Sequence, residues 1–388
     1  MKAIHFGAGN IGRGLIGQVL HKNHFEIVFL DTNNEIISQI NQKKGYFIEY
    51  LNEEKKRFFI GNTRAINLIS HSFEAENEIL TADIITTSVG VDNLKRIAPI
   101  IKSALLKRAT ISSGVNILAN ENSINTSDIM KNEIKNISTA EEWQRITTIS
   151  YFVNTAIDRQ SLSKIEDNIN IAIVEPYFEW VIDRTQLNPN TPYSLSNVVL
   201  VDELQPFIER KLFIVNAEHA AFAYLGALLG YQTIQQSIAD KRINILVRQF
   251  LQENSTYVMA KYAMDKSVLE SFIEKTIIRH GNPILSDPIV RVGKSPIRKL
   301  GKSDRLVSPV VNLHKLSMAN DAGKKIIAAA YLYYHADDPE SIEIQQMITD
   351  IGIENTLRKI SDLPDELISD ISKIYKAVKD EKNVIFNQ

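Results

Sequence analysis

The segment KAIHFGAGNIGRG (2–14) constrains the fold more than any other part of the chain. KAIHF reads as a short buried strand, and a glycine-rich turn follows it. LIGQVLHK (15–22) then has the apolar spacing of a helix, and EIVFLD (26–31) reads as a second strand ending in an acid. Gly7, Gly9 and Gly12 satisfy the pattern G-x-G-x-x-G. Gly7 permits the tight turn, Gly9 lets a pyrophosphate approach the backbone, and Gly12 lets helix and strand pack closely. The N-terminus of the helix offers N–H groups and a positive dipole end to phosphates. Asp31 stands where a carboxylate accepts hydrogen bonds from both adenosine ribose hydroxyls and repels a 2′-phosphate, so NAD is expected rather than NADP.

Later segments extend the pattern. ADIITTSVG (82–90), VNILANEN (115–122), TTISYFVNTAIDR (147–159, ending at Asn154) and IAIVEPYFEWVID (171–183) each read as a strand. Alternation of strand and helix to about residue 195 predicts a doubly wound α/β sheet. The carboxyl ends of such strands line the ligand crevice. Gly7, Gly9, Asn10, Ile11 and Gly12, with Asp31, Thr87 and Gly90, are therefore the expected cofactor contacts. Thr87 and Gly90 are equally compatible with an ordinary polar turn.

The character changes after NPNTPYSLSN (188–197). From there on helical periodicity dominates, so the expected domains are a Rossmann-type dinucleotide-binding domain over 1–195 and a mainly α-helical substrate domain over 196–388. At 388 residues two domains are the natural expectation, and 44% hydrophobic with 23% charged residues is a globular composition. A formal charge of −2 gives no reason to expect nucleic acid as partner. The absence of cysteine excludes disulfides and thiolate metal sites and fits a cytoplasmic location. MKAIHFGAGNIG does not read as a signal peptide, and AAFAYLGALLGY (220–231) is too short to span a bilayer, so no membrane partner is expected.

One helix carries more polar chemistry than burial allows. In KLFIVNAEHA (211–220), a straight α-helix count from Lys211 at 0° puts Asn216 near ~140°, His219 near ~80° and Glu218 near ~−20°. Lys211, Asn216 and His219 then share one broad face. In a dehydrogenase, a lysine beside an apolar wall can exchange the hydroxyl proton, an asparagine amide can steady the alkoxide, and a histidine can hold a neighbouring hydroxyl. On the pattern alone a snorkelling lysine, a capping asparagine and a satisfied core histidine are slightly favoured.

The spacing K-x-x-x-x-N-x-x-H of Lys211, Asn216 and His219 resembles the signature of the polyol-specific long-chain dehydrogenases, the mannitol dehydrogenase family. The resemblance extends through MKAIHFGAGNIGRG, TTSVGVDNL (86–94), ANEN (119–122), FVNTAIDR (152–159), VEPYFEWVID (174–183), ERKLFIVNAEHA (209–220) and RVGKSPIRKLGKSDRL (291–306). It implies an NAD-dependent, metal-independent enzyme that interconverts D-mannitol 1-phosphate and D-fructose 6-phosphate, as monomer or homodimer. Lys211 is implied as general acid/base, Asn122 and Asn216 as the alkoxide-stabilising pair, and His219 as a ligand of substrate hydroxyls. Other polyol phosphates or sugar acids are alternative substrates, and a catalytically silent NAD-binding sensor is the alternative of a different class. The chain departs from the family pattern at Asn120, where cysteine is usual, at Gln160-Ser161, where proline is usual, and at Glu218, where a small residue is usual. A carboxylate turned toward Lys211 would favour its charged form; the expectation is that Glu218 points aside. The segment 291–305 supplies Arg291, Lys294, Arg298, Lys299, Lys302 and Arg305. Of these Arg298, Lys299 and Arg305 are candidates for a substrate phosphate, against the commoner fate of charge runs as solvated loops.

Overall fold

The computed structural model describes residues 1–108, 114–191 and 193–387; Pro192 of the NPNTPYSLSN stretch lies outside them. The chain divides into two compact units, Met1–Phe207 and Ile208–Gln388.

The first unit holds thirteen strands among its described residues: β1 (Lys2–Phe6), β2 (Glu26–Asp31), β3 (Gly45–Tyr50), β4 (Arg57–Gly61), β5 (Thr63–Asn67), β6 (Ile84–Thr87), β7 (Val115–Ala119), β8 (Ser150–Phe152), β9 (Thr155–Asp158), β10 (Ser161–Glu166), β11 (Ile169–Val174), β12 (Glu179–Asp183) and β13 (Val199–Val201). Six form a parallel sheet in the order β5-β2-β1-β6-β7-β8. Burial on both faces explains its nearly unbroken apolar strands, such as IVFL and IIT. The strand order reverses between β1 and β6. That is the topological switch point, where doubly wound sheets take their ligands. Gly7 follows β1, and the 87–90 turn follows β6.

The other strands form two further sheets, β10-β11-β3-β4 and β13-β12-β9. Two stretches are therefore broken, the first at Asn154, where its strand is expected to end, and the second within what reads as a single strand. TTISYFVNTAIDR divides into β8 and β9, in different sheets, around Val153 and Asn154. The Asn154 N–H donates to Gln186 at 2.7 Å and is thereby diverted from strand pairing, and its side chain donates to Asp128 Oδ2 at 2.8 Å. IAIVEPYFEWVID likewise divides at Glu175–Phe178 into β11 and β12. Pairing of β13 with β12 keeps the chain in the first unit as far as Phe207.

The second unit is mainly helical, and its core is one large apolar cluster. At its centre lies a continuous helical run, Gln205–Leu229. It has 25 residues, and an 18-residue window within it has a mean hydropathy of 1.5, long and apolar enough to cross a membrane by composition alone. The expectation of a stretch too short to span is thus corrected: helical segments on either side of residue 217 join. In the structure 78% of that apolar window is buried inside the protein, where it serves as the core helix. Lys241–Tyr262, Lys266–His280, Asp321–Tyr331, Pro339–Ser361 and Asp365–Asp380 are the other long helices.

Candidate active site

The glycine loop of the first unit is built for close approach. Gly7 has φ +98°, and a Cβ there would lie 2.7 Å from the Ser88 carbonyl oxygen. A Cβ on Gly12 would lie 2.0 Å from the Gly7 carbonyl and 2.6 Å from His5 Nε2. His5 itself is fixed between Thr86 Oγ1 at 2.6 Å and Ser88 Oγ at 2.9 Å, and burial pushes its pKa down to about 3. A Cβ on Gly9 would meet nothing within 4 Å. The space over Gly9 is open, as a pyrophosphate cradle requires. Gly9 is exposed and Asn10 and Ile11 are half-buried, whereas Gly7 and Gly12 are buried and shape the turn.

Asp31 is held rather than hanging. Its Oδ2 accepts from Ala8 N at 2.5 Å, and its Oδ1 accepts from Thr32 N at 2.7 Å and Asn33 N at 2.8 Å. A carboxylate offers about four lone-pair sites, so one remains for a ribose hydroxyl rather than the pair expected from the sequence. The negative charge that opposes a 2′-phosphate is retained.

Several residues that carried no sequence signal support the loop. The helix after it opens with a π turn, Gly12–Gly17, bonded i→i+5. Where such a turn returns to i→i+4 bonding, one carbonyl loses its helical partner. Arg159 Nη1 donates to the Gly14 carbonyl at 2.5 Å, and Tyr46 Oη donates to the Arg13 carbonyl at 2.9 Å. The Arg13 guanidinium is buried beneath the loop and donates to the Ala8 carbonyl at 2.8 Å and to Asn170. At the departure Gln160-Ser161, Gln160 N donates to Glu175 at 2.6 Å and Ser161 Oγ donates to the Asn10 carbonyl at 2.8 Å. Proline has no N–H for the first of these bonds.

Glu121, inside ANEN, organises the end of β6. It accepts from Thr87 Oγ1 at 2.7 Å, Val89 N at 3.1 Å and Gly90 N at 2.6 Å. Thr87 is fully buried with its hydroxyl donating there, so what this turn can offer a ligand is the backbone near Gly90. Asn120 is buried and accepts from Thr155 at 2.8 Å, which explains how asparagine is tolerated at that departure. Asn122, the last residue of ANEN, is exposed.

In the second unit, Lys211–Asn216 forms another π turn. It holds one residue more than an α-turn, so each residue past it is set back by about 100° from the straight-helix count. With Lys211 at 0°, Asn216 falls near ~40°, His219 near ~−20° and Glu218 near ~−120°. The three polar residues that share the face are only partly buried. Lys211, Leu212, Asn216 and His219 are half-buried, whereas Phe213, Ile214, Val215, Ala217, Glu218 and Ala220 are buried. The broad face counted from the sequence is in fact a narrow one. Asn254 Nδ2 donates to the Phe213 carbonyl at 2.7 Å, as Arg159 does at the first π turn.

Glu218 has no exposed surface, and its Oε2 is bonded to His280 Nδ1. Burial drives its pKa up to about 8, against the pull of His219, Arg279 and Arg248. His219 stacks on His280, with ring centroids 4.2 Å apart and planes 14° from parallel. His219 Nε2 lies 2.9 Å from Asp287 Oδ2, and Arg291 donates to both oxygens of Asp287 at 2.7 and 2.6 Å. Burial raises the pKa of Asp287, but the bonds from His219 and Arg291 outweigh it and hold the group at about 2. Burial and the His280 ring push His219 down to about 4, so it is neutral at pH 7 with Nε2–H donating to Asp287.

The basic segment is solvated at Arg291, Lys294, Arg298 and Lys302 but not at Lys299 and Arg305. Lys299 is 5% exposed and Arg305 9%, whereas Arg298 is exposed. Lys299 Nζ donates to the Lys294 carbonyl. Burial, with Arg305 and Arg298 adding to it, lowers the Lys299 pKa to about 7. Arg305 Nε donates to Asp304 at 2.7 Å, and Lys302 pairs with Asp362. Arg291 is the member of this run that is joined to His219, through Asp287. Among the described residues no group of three or more His, Asp or Glu is arranged to hold a metal ion.

A doubly wound domain with an open glycine cradle, followed by a helical unit with a lysine–asparagine–histidine face, defines a nucleotide-dependent dehydrogenase. The mannitol dehydrogenase Rossmann domain family model matches residues 1–194, and the mannitol dehydrogenase C-terminal domain model matches residues 203–387. The chain belongs to the mannitol dehydrogenase family, and it is an oxidoreductase with an NAD-type Rossmann domain. It is 37% identical over 364 residues to the mannitol-1-phosphate 5-dehydrogenase of Halalkalibacterium halodurans, covering 94% of this chain and 96% of that one. It is 38% identical over 361 residues to the mannitol-1-phosphate 5-dehydrogenase of Bacillus subtilis, covering 93% and 95%. In fold it is similar to Pseudomonas fluorescens mannitol 2-dehydrogenase in ternary complex with NAD and D-mannitol, with TM-score 0.78, 15% identity, and 100% of this chain and 93% of that one covered. It is also similar to a substrate-free D-sorbitol dehydrogenase, with TM-score 0.83, 14% identity and coverage of 99% and 94%.

Proposed function

We propose that the chain interconverts D-mannitol 1-phosphate and D-fructose 6-phosphate with NAD as cofactor. The observation that carries this reading is the face of Lys211, Asn216 and His219, gathered by the π turn at 211–216. The first unit would hold the nucleotide, with Gly9, Asn10 and Ile11 against the pyrophosphate and Asp31 on the adenosine ribose. When bound, NAD would supply the hydride acceptor for the alcohol and, as NADH, the donor for the ketone.

The chain's own residues would manage the proton and the charge. Lys211 takes the hydroxyl proton in oxidation and returns it in reduction, with no metal invoked. Asn216 donates to the oxygen as it gains negative charge. No side-chain hydrogen bond occupies the Asn216 amide among the described residues. His219 holds a neighbouring hydroxyl. Lys299 and Arg305, with Arg298, take the phosphate. Arg305 and Arg298 lie close enough to Lys299 to lower its pKa, and a bound anion would relieve that repulsion.

The test is direct. Purified protein mixed with NADH and fructose 6-phosphate should bleach the NADH absorbance band. NADPH and unphosphorylated fructose should be poor replacements, and Lys211→Ala should abolish turnover. Absence of turnover with every sugar phosphate tried would sink this reading.

A further inference from the structure

Glu218, His280 and Asp287 have no part in the chemistry just described, yet all converge on His219. Each contact restricts the imidazole differently. Asp287 is ionised and already takes both donors of Arg291, so it accepts the Nε2 proton of His219. That fixes the tautomer and leaves Nδ1 as a lone pair. The ring could still swing about its χ2 torsion. His280 prevents this by lying parallel to it at 4.2 Å. His280 sits at the end of Lys266–His280 and is itself pinned through Nδ1 by Glu218, on the same helical run as His219. Two cationic imidazoles at that separation would repel strongly, so the stack requires at least one neutral ring. Arg248 is drawn off toward Glu274, so the pair is left facing His219 and the nearby charge of Arg279.

We propose that Glu218 and His280 are positioning residues that brace His219 from behind, so that it presents Nδ1 as an acceptor for one substrate hydroxyl. The catalytic consequence rests on the reading under Proposed function; the geometry of the brace does not.

Two readouts separate them. Nitrogen-15 spectra of histidine-labelled protein report tautomers without any turnover. His219 should be in the Nε2–H form at pH 7.5, and Glu218→Ala or His280→Ala should give exchange-averaged signals. Kinetically, either variant should raise KM for fructose 6-phosphate by about fivefold to tenfold, as expected for loss of a stacked pair. kcat and the KM for NADH should stay within about twofold, a change worth under 0.5 kcal/mol. Glu218→Gln retains a bonding partner for Nδ1 and should restore KM. In a His219→Asn background, His280→Ala should add nothing further, because the two act as one unit. An Nδ1–H or charged His219, unaltered signals in both alanine variants, or additive losses would overturn the proposal. If the wild-type protein reduces no sugar phosphate, the functional reading fails, and the tautomer spectra still decide for or against the brace.

Discussion

Glu218 bonds His280, 62 residues along the chain, although a straight α-helix would put it almost over Lys211. The π turn between them is the cause. By setting the rest of the helix back one residue, it turns a carboxylate that would have countered Lys211 into the core and swings His219 into its place. Polar identity at 216, 218 and 219 therefore acquires meaning only after the backbone defect at 211–216 is counted.

The first expectation concerns pH. Glu218 is raised from 4.5 to about 8 on folding. The folded state thus holds a proton that the unfolded state has lost, and this contribution to stability is full below about pH 4.5 and fades as pH rises through about 8. Lys299, lowered to about 7, contributes with the opposite sign above that pH. A single melting curve would mix the two, so the difference between wild type and Glu218→Gln is the clean measure. The variant should gain on wild type between pH 5 and 8, by at most about 1.4 kcal/mol per pH unit. A difference in melting temperature that does not change with pH would refute the assignment.

The glycines of the loop should separate by role. Gly12→Ala puts a Cβ 2.0 Å from a backbone carbonyl, so it should destabilise the first unit whether or not nucleotide is present. Gly9→Val meets no protein atom within 4 Å of its Cβ. It should fold with a melting temperature close to wild type yet bind NADH at least about tenfold more weakly, a loss of roughly 1.4 kcal/mol. Calorimetry and NADH fluorescence titration check both. Equal nucleotide affinity in Gly9→Val would remove the pyrophosphate from that position.

These contrasts show what was legible beforehand. Strand, glycine turn, helix and Asp31 could be read directly, because buried parallel strands leave unbroken apolar runs. β4 and β5, RFFIG and TRAIN, went unread because they are short and carry arginines on part-exposed positions. In TTISYFVNTAIDR the strand reads as ending at Asn154, as β8 nearly does, but nothing in the apolar pattern marks the second strand, β9, that follows. The π turn was hidden for a related reason. In KLFIVNAEHA the apolar residues surround most of the helix, so periodicity does not register one extra residue. Asp287, His280 and Asn254 lie 68, 62 and 41 residues along the chain from His219, Glu218 and Phe213, the residues they support, and no local pattern joins them.

Phosphate recognition should carry a proton signature. Free Lys299, at about 7, is mostly neutral at pH 8. A phosphate dianion beside it would favour the ammonium, so binding should take up a proton. Titration calorimetry of fructose 6-phosphate at pH 8, in two buffers of different ionisation enthalpy, should show uptake approaching one proton in wild type and little in Lys299→Met. Arg305→Ala should raise KM for fructose 6-phosphate at least about tenfold, in line with the loss of a charge-assisted bond. Activity on unphosphorylated fructose should fall far less. Equal losses on the two sugars would place the phosphate elsewhere.

The last expectation tests the π turn itself. Asn254 is fully buried and donates to the Phe213 carbonyl at 2.7 Å. Asn254→Leu keeps the volume and removes the donor, leaving that carbonyl unpaired at a cost of about 1–3 kcal/mol. The helix can recover the bond only by reverting to α geometry, which would rotate Asn216 and His219 away from Lys211 by about 100°. Activity should therefore fall by more than the stability loss accounts for. Turnover at 10 °C, well below the variant's melting temperature, should be at least about tenfold lower, equivalent to 1.4 kcal/mol in the barrier. NADH binding, which belongs to the first unit, should be unchanged. A variant that is less stable but turns over at the wild-type rate would show that the π turn holds without Asn254.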